Sequence, residues 1–163
     1  MKKLLFLIVL FSLQGYGQKT FEVYNYTSFT FELYNIITDA SGNYPEFHSK
    51  GTTVSVPPGG TYTLVNPANV LRFPFHSPSS VPYIGSWIRM NPPSNGVIMT
   101  SIAAWTLGNP QVFSRMDFGS PGAGGGVIST TTPVVNGPSW IAIYDMYVNP
   151  TNPNIINYTI VIF

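Results

Sequence analysis

Apolar and polar residues alternate along the first part of the chain. Apolar residues or threonine occupy most odd positions between 21 and 37, whereas charged residues, threonine and tyrosine occupy the even ones. The odd set is Phe21, Val23, Thr27, Phe29, Phe31, Leu33 and Ile37, and the even set is Glu22, Tyr24, Tyr26, Thr30, Glu32 and Tyr34. A period of two is typical of strands with one buried face. Asn25 interrupts the alternation, and the polar step at Thr27 and Ser28 predicts a bend or bulge joining two strands of one face.

Clusters of proline, glycine and asparagine divide the rest of the chain into short segments. Strands are predicted at residues 52–56, 61–65, 81–90, 97–107, 112–118, 127–132, 139–148 and 155–163, with room for a helical turn within 97–107. About nine or ten strands at this spacing predict an all-β fold, an antiparallel β-sandwich of jelly-roll type. A small outer-membrane barrel is an alternative, but fifteen prolines would interrupt the ladders that it needs.

The first 17 residues have the features of a signal peptide. Lys2 and Lys3 precede an apolar run over 4–13, and Gly15 and Gly17 supply small residues before a cleavage point. The run is too short to span a bilayer, which needs about 20 residues. This segment resembles the Sec signals of secreted Bacteroidota proteins, which implies export to the cell surface, outer membrane, periplasm or medium. We therefore expect a signal peptide at 1–17 and a single β-sandwich domain at 18–163.

Charge and cysteine content exclude several kinds of partner and anchor. The chain has no cysteine, so we expect neither disulfides nor a lipoprotein anchor. Residues 18–163 hold five basic and six acidic side chains, and this balance gives no basic patch for nucleic-acid binding. Only 8% of the whole chain is charged, compared with roughly 25–35% on a typical soluble surface. Uncharged polar residues must therefore hydrate the surface, or a partner must cover it. We also expect no transmembrane helix in 18–163.

Few residues could carry chemistry. Glu46 and His48 would share a strand face, but two ligands fall short of the three or four that zinc sites use. His76 has no acidic neighbour in sequence, and Asp117 and Asp145 are the remaining carboxylate pair for glycoside hydrolysis. We therefore expect a non-catalytic protein without a metal or cofactor.

Aromatic residues are the most abundant material for binding. Tyr24, Tyr26 and Tyr34 lie on the even face, where they are expected to form an exposed stripe, and Trp87 and Trp140 are added as further contact residues. Amphipathic rings of this kind suit a protein or sugar surface. These five residues form the predicted interaction surface.

Three functions fit these features. The first is an interaction module, an accessory or structural subunit of a cell-surface or outer-membrane complex with a protein partner. The second is a carbohydrate-binding or adhesive domain. Residues 23–27, 56–60 and 140–163 resemble aegerolysins, which implies a third, membrane-active β-sandwich. A planar row of exposed aromatics would favour sugar, whereas an apolar patch or an unpaired edge strand would favour a protein partner.

Overall fold

The computed structural model describes residues 17–49, 51–92 and 94–163, and it confirms the all-β sandwich. The described part contains twelve strands and one short helix. The strands are β1 (Gln18–Asn25), β2 (Phe31–Asp39), β3 (Glu46–His48), β4 (Val54–Val56), β5 (Thr61–Val65), β6 (Ser86–Asn91), β7 (Ser94–Thr100), β8 (Val112–Ser120), β9 (Gly124–Ser129), β10 (Val134–Asn136), β11 (Ile141–Val148) and β12 (Ile155–Ile162). The helix, α1, spans Ser101–Thr106. It confirms the helical turn expected within 97–107.

The strands form two sheets. Sheet A has the order β10-β11-β12-β1-β5, and sheet B has the order β7-β6-β3-β2-β8-β9, with β4 also paired to β2. Pairing is antiparallel except between β1 and β12, which run parallel. The two short strands β3 and β10 were not predicted as separate elements, because three residues are too few to show a period. No helix in the described ranges is long and apolar enough to cross a membrane, and residues 1–16 of the predicted signal peptide lie outside those ranges.

The chain crosses from sheet A to sheet B between β1 and β2, at the point where Asn25 interrupts the alternation. Asn25 is fully buried, and its Nδ2 donates to the carbonyl oxygens of Phe29, Val56 and Pro57 at 2.7, 2.9 and 3.0 Å. Its Oδ1 accepts from the amide and the hydroxyl of Thr27. A polar residue stands at this inward position because the backbone groups of the crossing need partners. β1 and β2 thus belong to opposite sheets. The prediction that they are two strands of one ribbon was wrong.

The chain bends at residues 27–29, as predicted, and a bulge that was not predicted lies in β2. The register against β8 shifts between Leu33 and Asn35, so the parity of the inward positions changes there. Ile36 consequently faces the core opposite Met116, and Ile37 pairs with Arg115 and His48 on the outer side. Ile37 is still only 1% exposed, but it does not belong to the core cluster. The prediction that the odd face remains inward as far as Ile37 was wrong.

Aromatic rings fill the space between the sheets. Phe21 of sheet A stacks on Phe113 of sheet B with ring centroids 5.3 Å apart. Phe31 of β2 meets Trp140 edge to face at 5.3 Å. The odd positions of β1 and of the first part of β2 are thus buried as predicted, and a single apolar core joins the sheets.

Candidate interaction surface

The outward side chains of sheet A form regular rows across the strands. Strand pairing aligns Val134, Ile143, Val161 and Tyr24 in one row. The next row towards the strand ends contains Ile141 and Phe163, which exchange two backbone hydrogen bonds. Tyr26 continues this second row, because its amide donates to Ile162 O at 2.7 Å. Side chains of paired residues point to the same side of a sheet, so the two rows share one face.

These two rows make a continuous apolar and aromatic area on the outside of the molecule. Tyr26, Phe163 and Val134 are 66%, 49% and 44% exposed, and the other members are half-buried by their neighbours. We call this area the sheet A patch, and it consists of Tyr24, Tyr26, Val134, Ile141, Ile143, Val161 and Phe163. Nothing in the described part of the chain covers it.

Tyr24 and Tyr26 are the aromatic centre of the patch. Their rings lie at an interplanar angle of 10° with centroids 6.2 Å apart. The Tyr24 hydroxyl donates to Glu22 Oε2 at 2.9 Å. This hydrogen bond to the carboxylate, together with partial burial, raises the pKa of the Tyr24 hydroxyl. Tyr24 is therefore held by Glu22 of the adjoining row, and the Tyr26 ring stacks beside it.

The next row of outward side chains along the strands of sheet A contains two acidic residues. Strand pairing places Asp145, Thr159 and Glu22 side by side directly below the patch. The strands of sheet A contain a single basic residue, Lys19, which points inward and is 3% exposed. The outer face of sheet A thus combines apolar groups with negative charge.

Three of the predicted surface residues lie elsewhere. Tyr34 is on the outer face of sheet B, over Gly119, so the three tyrosines do not form one stripe. Trp87 is fully buried against Phe75, and its Nε1 donates to Phe75 O at 3.2 Å. Trp140 is 5% exposed and donates to Ala123 O at 2.7 Å. Both indoles find an acceptor inside the fold, so their large apolar rings are buried without an unpaired donor.

The outer face of sheet B carries a set of linked polar side chains, which we call the polar cluster: Asn35, Glu46, His48 and Arg115. His48 Nε2 lies 2.8 Å from Glu46 Oε2, and Arg115 Nη2 lies 3.8 Å from the same oxygen. Asn35 Nδ2 is 3.5 Å from His48 Nδ1. Glu46 and His48 share a face as predicted, and they pair with each other. Among the described residues, no group of three or more histidine and acidic side chains could hold a metal ion.

A second polar contact joins His76, Tyr83 and Ser101, which sequence reasoning did not connect. His76 Nδ1 lies 2.7 Å from Tyr83 Oη and 3.2 Å from Ser101 Oγ, and the two hydroxyls also hydrogen-bond to each other. Ser101 is 2% exposed, whereas Tyr83 is 41% exposed. The contact fastens the loop before β6 to the start of α1.

The predicted carboxylate pair is separated by the whole sandwich. Asp117 points outward from β8 of sheet B, and Asp145 points outward from β11 of sheet A. The two carboxyl groups therefore cannot flank one glycosidic bond.

Comparison with protein-family models, with characterised proteins and with solved structures finds no match to this chain. Function is therefore argued from the geometry.

Proposed function

We propose that this chain is a non-catalytic interaction module, an accessory subunit of a cell-surface or outer-membrane complex that binds a protein partner through the sheet A patch. The observation that carries the proposal is the patch itself, two adjoining rows of apolar and aromatic side chains left uncovered on a sheet face. Contiguous apolar areas of this kind on a soluble protein are typical of sites that bind another protein or a membrane. Export, which the proposal requires, rests on the sequence of residues 1–17.

The composition of the face supports a protein partner. Val134, Ile143 and Val161 are aliphatic and extend the row on one side of Tyr24, whereas a sugar platform would use a planar row of rings. The third tyrosine needed for such a row, Tyr34, lies on the opposite sheet. Tyrosine and phenylalanine are also enriched at the centres of protein interfaces.

The charges beside the patch indicate the chemistry of the partner. Glu22 and Asp145 lie in the row below it, and no exposed lysine or arginine comes from the strands of this sheet. We therefore expect the partner to present apolar side chains bordered by basic residues. Such complementarity raises the association rate and makes it sensitive to salt.

The test is recovery of the partner from native membranes. The full chain, tagged and expressed in its own cells, would be solubilised in mild detergent and purified with whatever it binds. The double substitution Ile143→Lys and Val161→Lys would place two charges in the patch. The matched control, Val127→Lys with Ser129→Lys, places two charges on β9 in the outer face of sheet B.

The wild type and the control are expected to retain a membrane protein that the patch variant loses. A photo-reactive phenylalanine analogue at Tyr26 should cross-link to that same protein. Equal retention by all three forms, or a chain that purifies alone, would refute the proposal.

Carbohydrate binding is a second candidate, favoured by the near-parallel rings of Tyr24 and Tyr26. A sugar ring could stack on the face of Tyr24, of Tyr26 or of both, and this contact would not require the aliphatic residues of the patch. Affinity electrophoresis in gels containing surface polysaccharides separates the two candidates. Retardation that is lost in Tyr24→Ala with Tyr26→Ala but kept in Ile143→Lys with Val161→Lys would favour sugar over protein.

A further inference from the structure

The flank of the sandwich between β11 and β8 is only partly covered. β10 pairs only with the start of β11, and β9 pairs only with the later part of β8. The connection between β9 and β10, residues 130–133, crosses the flank where Thr130 N donates to Ser114 O and Tyr144 N donates to Pro133 O. Beyond this crossing, no further strand of the described ranges pairs with the free edges of β11 and β8.

Two inward side chains of β11 are exposed beyond the crossing. Met146 pairs with Tyr158 and Val148 pairs with Ile156, so both lie on the inner face of sheet A. Tyr158 belongs to the core and is 1% exposed, whereas Met146 and Val148 are 50% and 39% exposed. In a sandwich, inward side chains are normally covered by those of the opposite sheet. The flank is therefore open to solvent at Met146 and Val148.

Two buried tyrosine hydroxyls adjoin Met146 on this inner face. Tyr158 is directly opposite Met146 and Tyr144 precedes it by two residues, which puts neighbouring side chains about 5–7 Å apart. The Tyr144 and Tyr158 rings pack on Phe113 of sheet B, with centroids 5.0 and 6.3 Å from its ring. Neither hydroxyl has a hydrogen-bond partner among the described residues, although the Phe113 backbone lies beside that of Tyr158. Unpaired buried polar groups of this kind are rare and call for an explanation.

We propose that the open flank binds a small uncharged molecule that has an apolar body and an acceptor oxygen, such as a ketone or an ester. We call it the flank site, and it is lined by Phe113, Tyr144, Met146, Val148, Ile156 and Tyr158. The apolar body rests on the aliphatic side chains, and the oxygen accepts from the tyrosine hydroxyls. An apolar lining with one or two well-placed polar groups is typical of small-molecule sites. The flexible thioether of Met146 adapts its shape to the ligand.

The hydroxyls are suited to donate to such an oxygen. Burial, and to a lesser extent the charge of Asp145, raises the pKa of Tyr144 from 10.0 to about 12. Burial is also the main cause of the raised pKa of Tyr158. Both hydroxyls therefore keep their protons at neutral pH and act as neutral donors.

The charges around the flank site favour an uncharged ligand. None of the lining side chains is charged, so a buried charge on the ligand would have no counter-ion among them. Asp39 and Asp145 already raise the pKa values of the two tyrosines, and they would repel an anion in the same way. Lys19 lies beyond Ile156 on the inner face, but its ammonium donates to two backbone carbonyls.

The flank site is independent of the sheet A patch, which lies on the opposite side of the same strands. The test uses prodan, an uncharged naphthyl ketone that fluoresces more strongly in apolar surroundings and further to the red when its carbonyl accepts a hydrogen bond. The purified protein should bind prodan saturably, with a dissociation constant on the order of 100 µM for a ligand of this size. Absence of saturation up to about 1 mM protein would overturn the proposal.

The double substitution Tyr144→Phe with Tyr158→Phe tests the donors, because it removes both hydroxyls and keeps both rings. It should weaken prodan binding at least about 10-fold and shift the emission of bound prodan to the blue. The matched control is Tyr62→Phe on β5, at the other edge of sheet A, where a buried hydroxyl donates to Pro82 O. The control should bind as the wild type does. Equal affinity and colour in the wild type and the double variant would refute a role of the hydroxyls in binding.

Met146→Trp tests the opening, because a larger ring fills it and leaves both hydroxyls in place. It should weaken prodan binding at least about 10-fold, whereas Ile143→Lys with Val161→Lys on the outer side should not. Loss of binding in the outer variant but not in Met146→Trp would place prodan on the sheet A patch and exclude the flank site. A crystal structure at saturating prodan with only water at the two hydroxyls would exclude it as well. Urea unfolding of each variant checks that it is folded.

Discussion

The outward side chains of sheet A and sheet B differ in how they are paired. On sheet B, polar residues find each other, with His48 paired to Glu46 and Asn35 and Arg115 close by. On sheet A, the apolar rows contact only one another within the sheet, and the two acids form no ion pair among the residues that the structure describes. On sheet B these polar side chains pair mainly with one another, although Asn35 Oδ1 is buried without a partner, whereas sheet A has exposed apolar groups that a partner could bury. This contrast is the reason for placing the binding site on sheet A.

The largest expected effect separates the core from an outer face on one strand. Phe31 is fully buried on β2 and packs on Phe118 and Trp140, whereas Tyr34 of the same strand is 44% exposed. Phe31→Ala should lower the free energy of unfolding by about 3–5 kcal/mol. Tyr34→Ala should lower it by less than about 1 kcal/mol. Urea unfolding measures both, and a loss below about 1 kcal/mol for Phe31→Ala would reverse the assignment of the two faces.

The alternation of apolar residues predicted the inward face of β1 and the start of β2, but not the sheet to which each strand belongs. Period two reports which side of a strand is buried, and both strands bury their odd side chains against the same core from opposite directions. Tyr24 and Tyr34 have the same parity and therefore point away from each other. The bulge at Tyr34 changes the parity of Ile36 and Ile37, and it depends on pairing with β8, about eighty residues later.

The sheet A patch also could not be predicted from the sequence. Tyr24 and Tyr26 were predicted to be exposed, but their neighbours Ile143 and Val161 come from β11 and β12. In the sequence these strands look like ordinary core strands, because apolar residues fill both of their faces. Trp87 and Trp140 were predicted at the surface but are buried, because a large apolar ring packs equally well in an interface and in a core. Only the acceptors Phe75 O and Ala123 O distinguish the two outcomes.

A buried charge at the junction of the two sheets predicts an unusual dependence of stability on pH. Lys19 Nζ of sheet A donates to Asn109 O and Gln111 O, in the segment that leads into β8, at 2.9 and 2.7 Å. Burial lowers the pKa of Lys19 from 10.5 to about 8. Between these two values the unfolded chain binds a proton that the folded chain does not, so stability rises with pH. We expect a gain of roughly 2 kcal/mol from pH 7.5 to 10.

Buried tyrosines should reverse this trend at higher pH. Burial raises the pKa of Tyr62 and of Tyr144 from 10.0 to about 12. Above pH 10 the unfolded chain loses protons that these folded hydroxyls keep, so stability falls. Urea midpoints between pH 7.5 and 11 should therefore pass through a maximum near pH 10. Lys19→Met should abolish the rise and keep the fall, and an unchanged profile in that variant would exclude Lys19 as the cause.

The inner and outer tyrosines of sheet A provide a smaller contrast. The Tyr144 hydroxyl is buried without a hydrogen-bond partner, whereas the Tyr24 hydroxyl donates to Glu22 on the outer face. Tyr144→Phe removes an unsatisfied group and should raise the free energy of unfolding by about 1 kcal/mol. Tyr24→Phe should change it by less than about 0.5 kcal/mol, because water replaces the lost contact. Thermal and urea unfolding measure both, and destabilisation by Tyr144→Phe would show that its hydroxyl is bonded within the core.

The smallest effect compares the charges of the two outer faces. Glu46 is paired with His48 and lies near Arg115, so Glu46→Gln should cost about 0.5 kcal/mol at low salt and less at high salt. Glu22 forms no ion pair with any described residue, so Glu22→Gln should leave stability unchanged. If the acid beside the patch serves a partner, Glu22→Gln should instead weaken the salt dependence of partner capture, with Glu46→Gln as the control. A greater loss of stability in Glu22→Gln than in Glu46→Gln would mean that the acids of sheet A stabilise the fold. The proposed difference between the two outer faces would then be wrong.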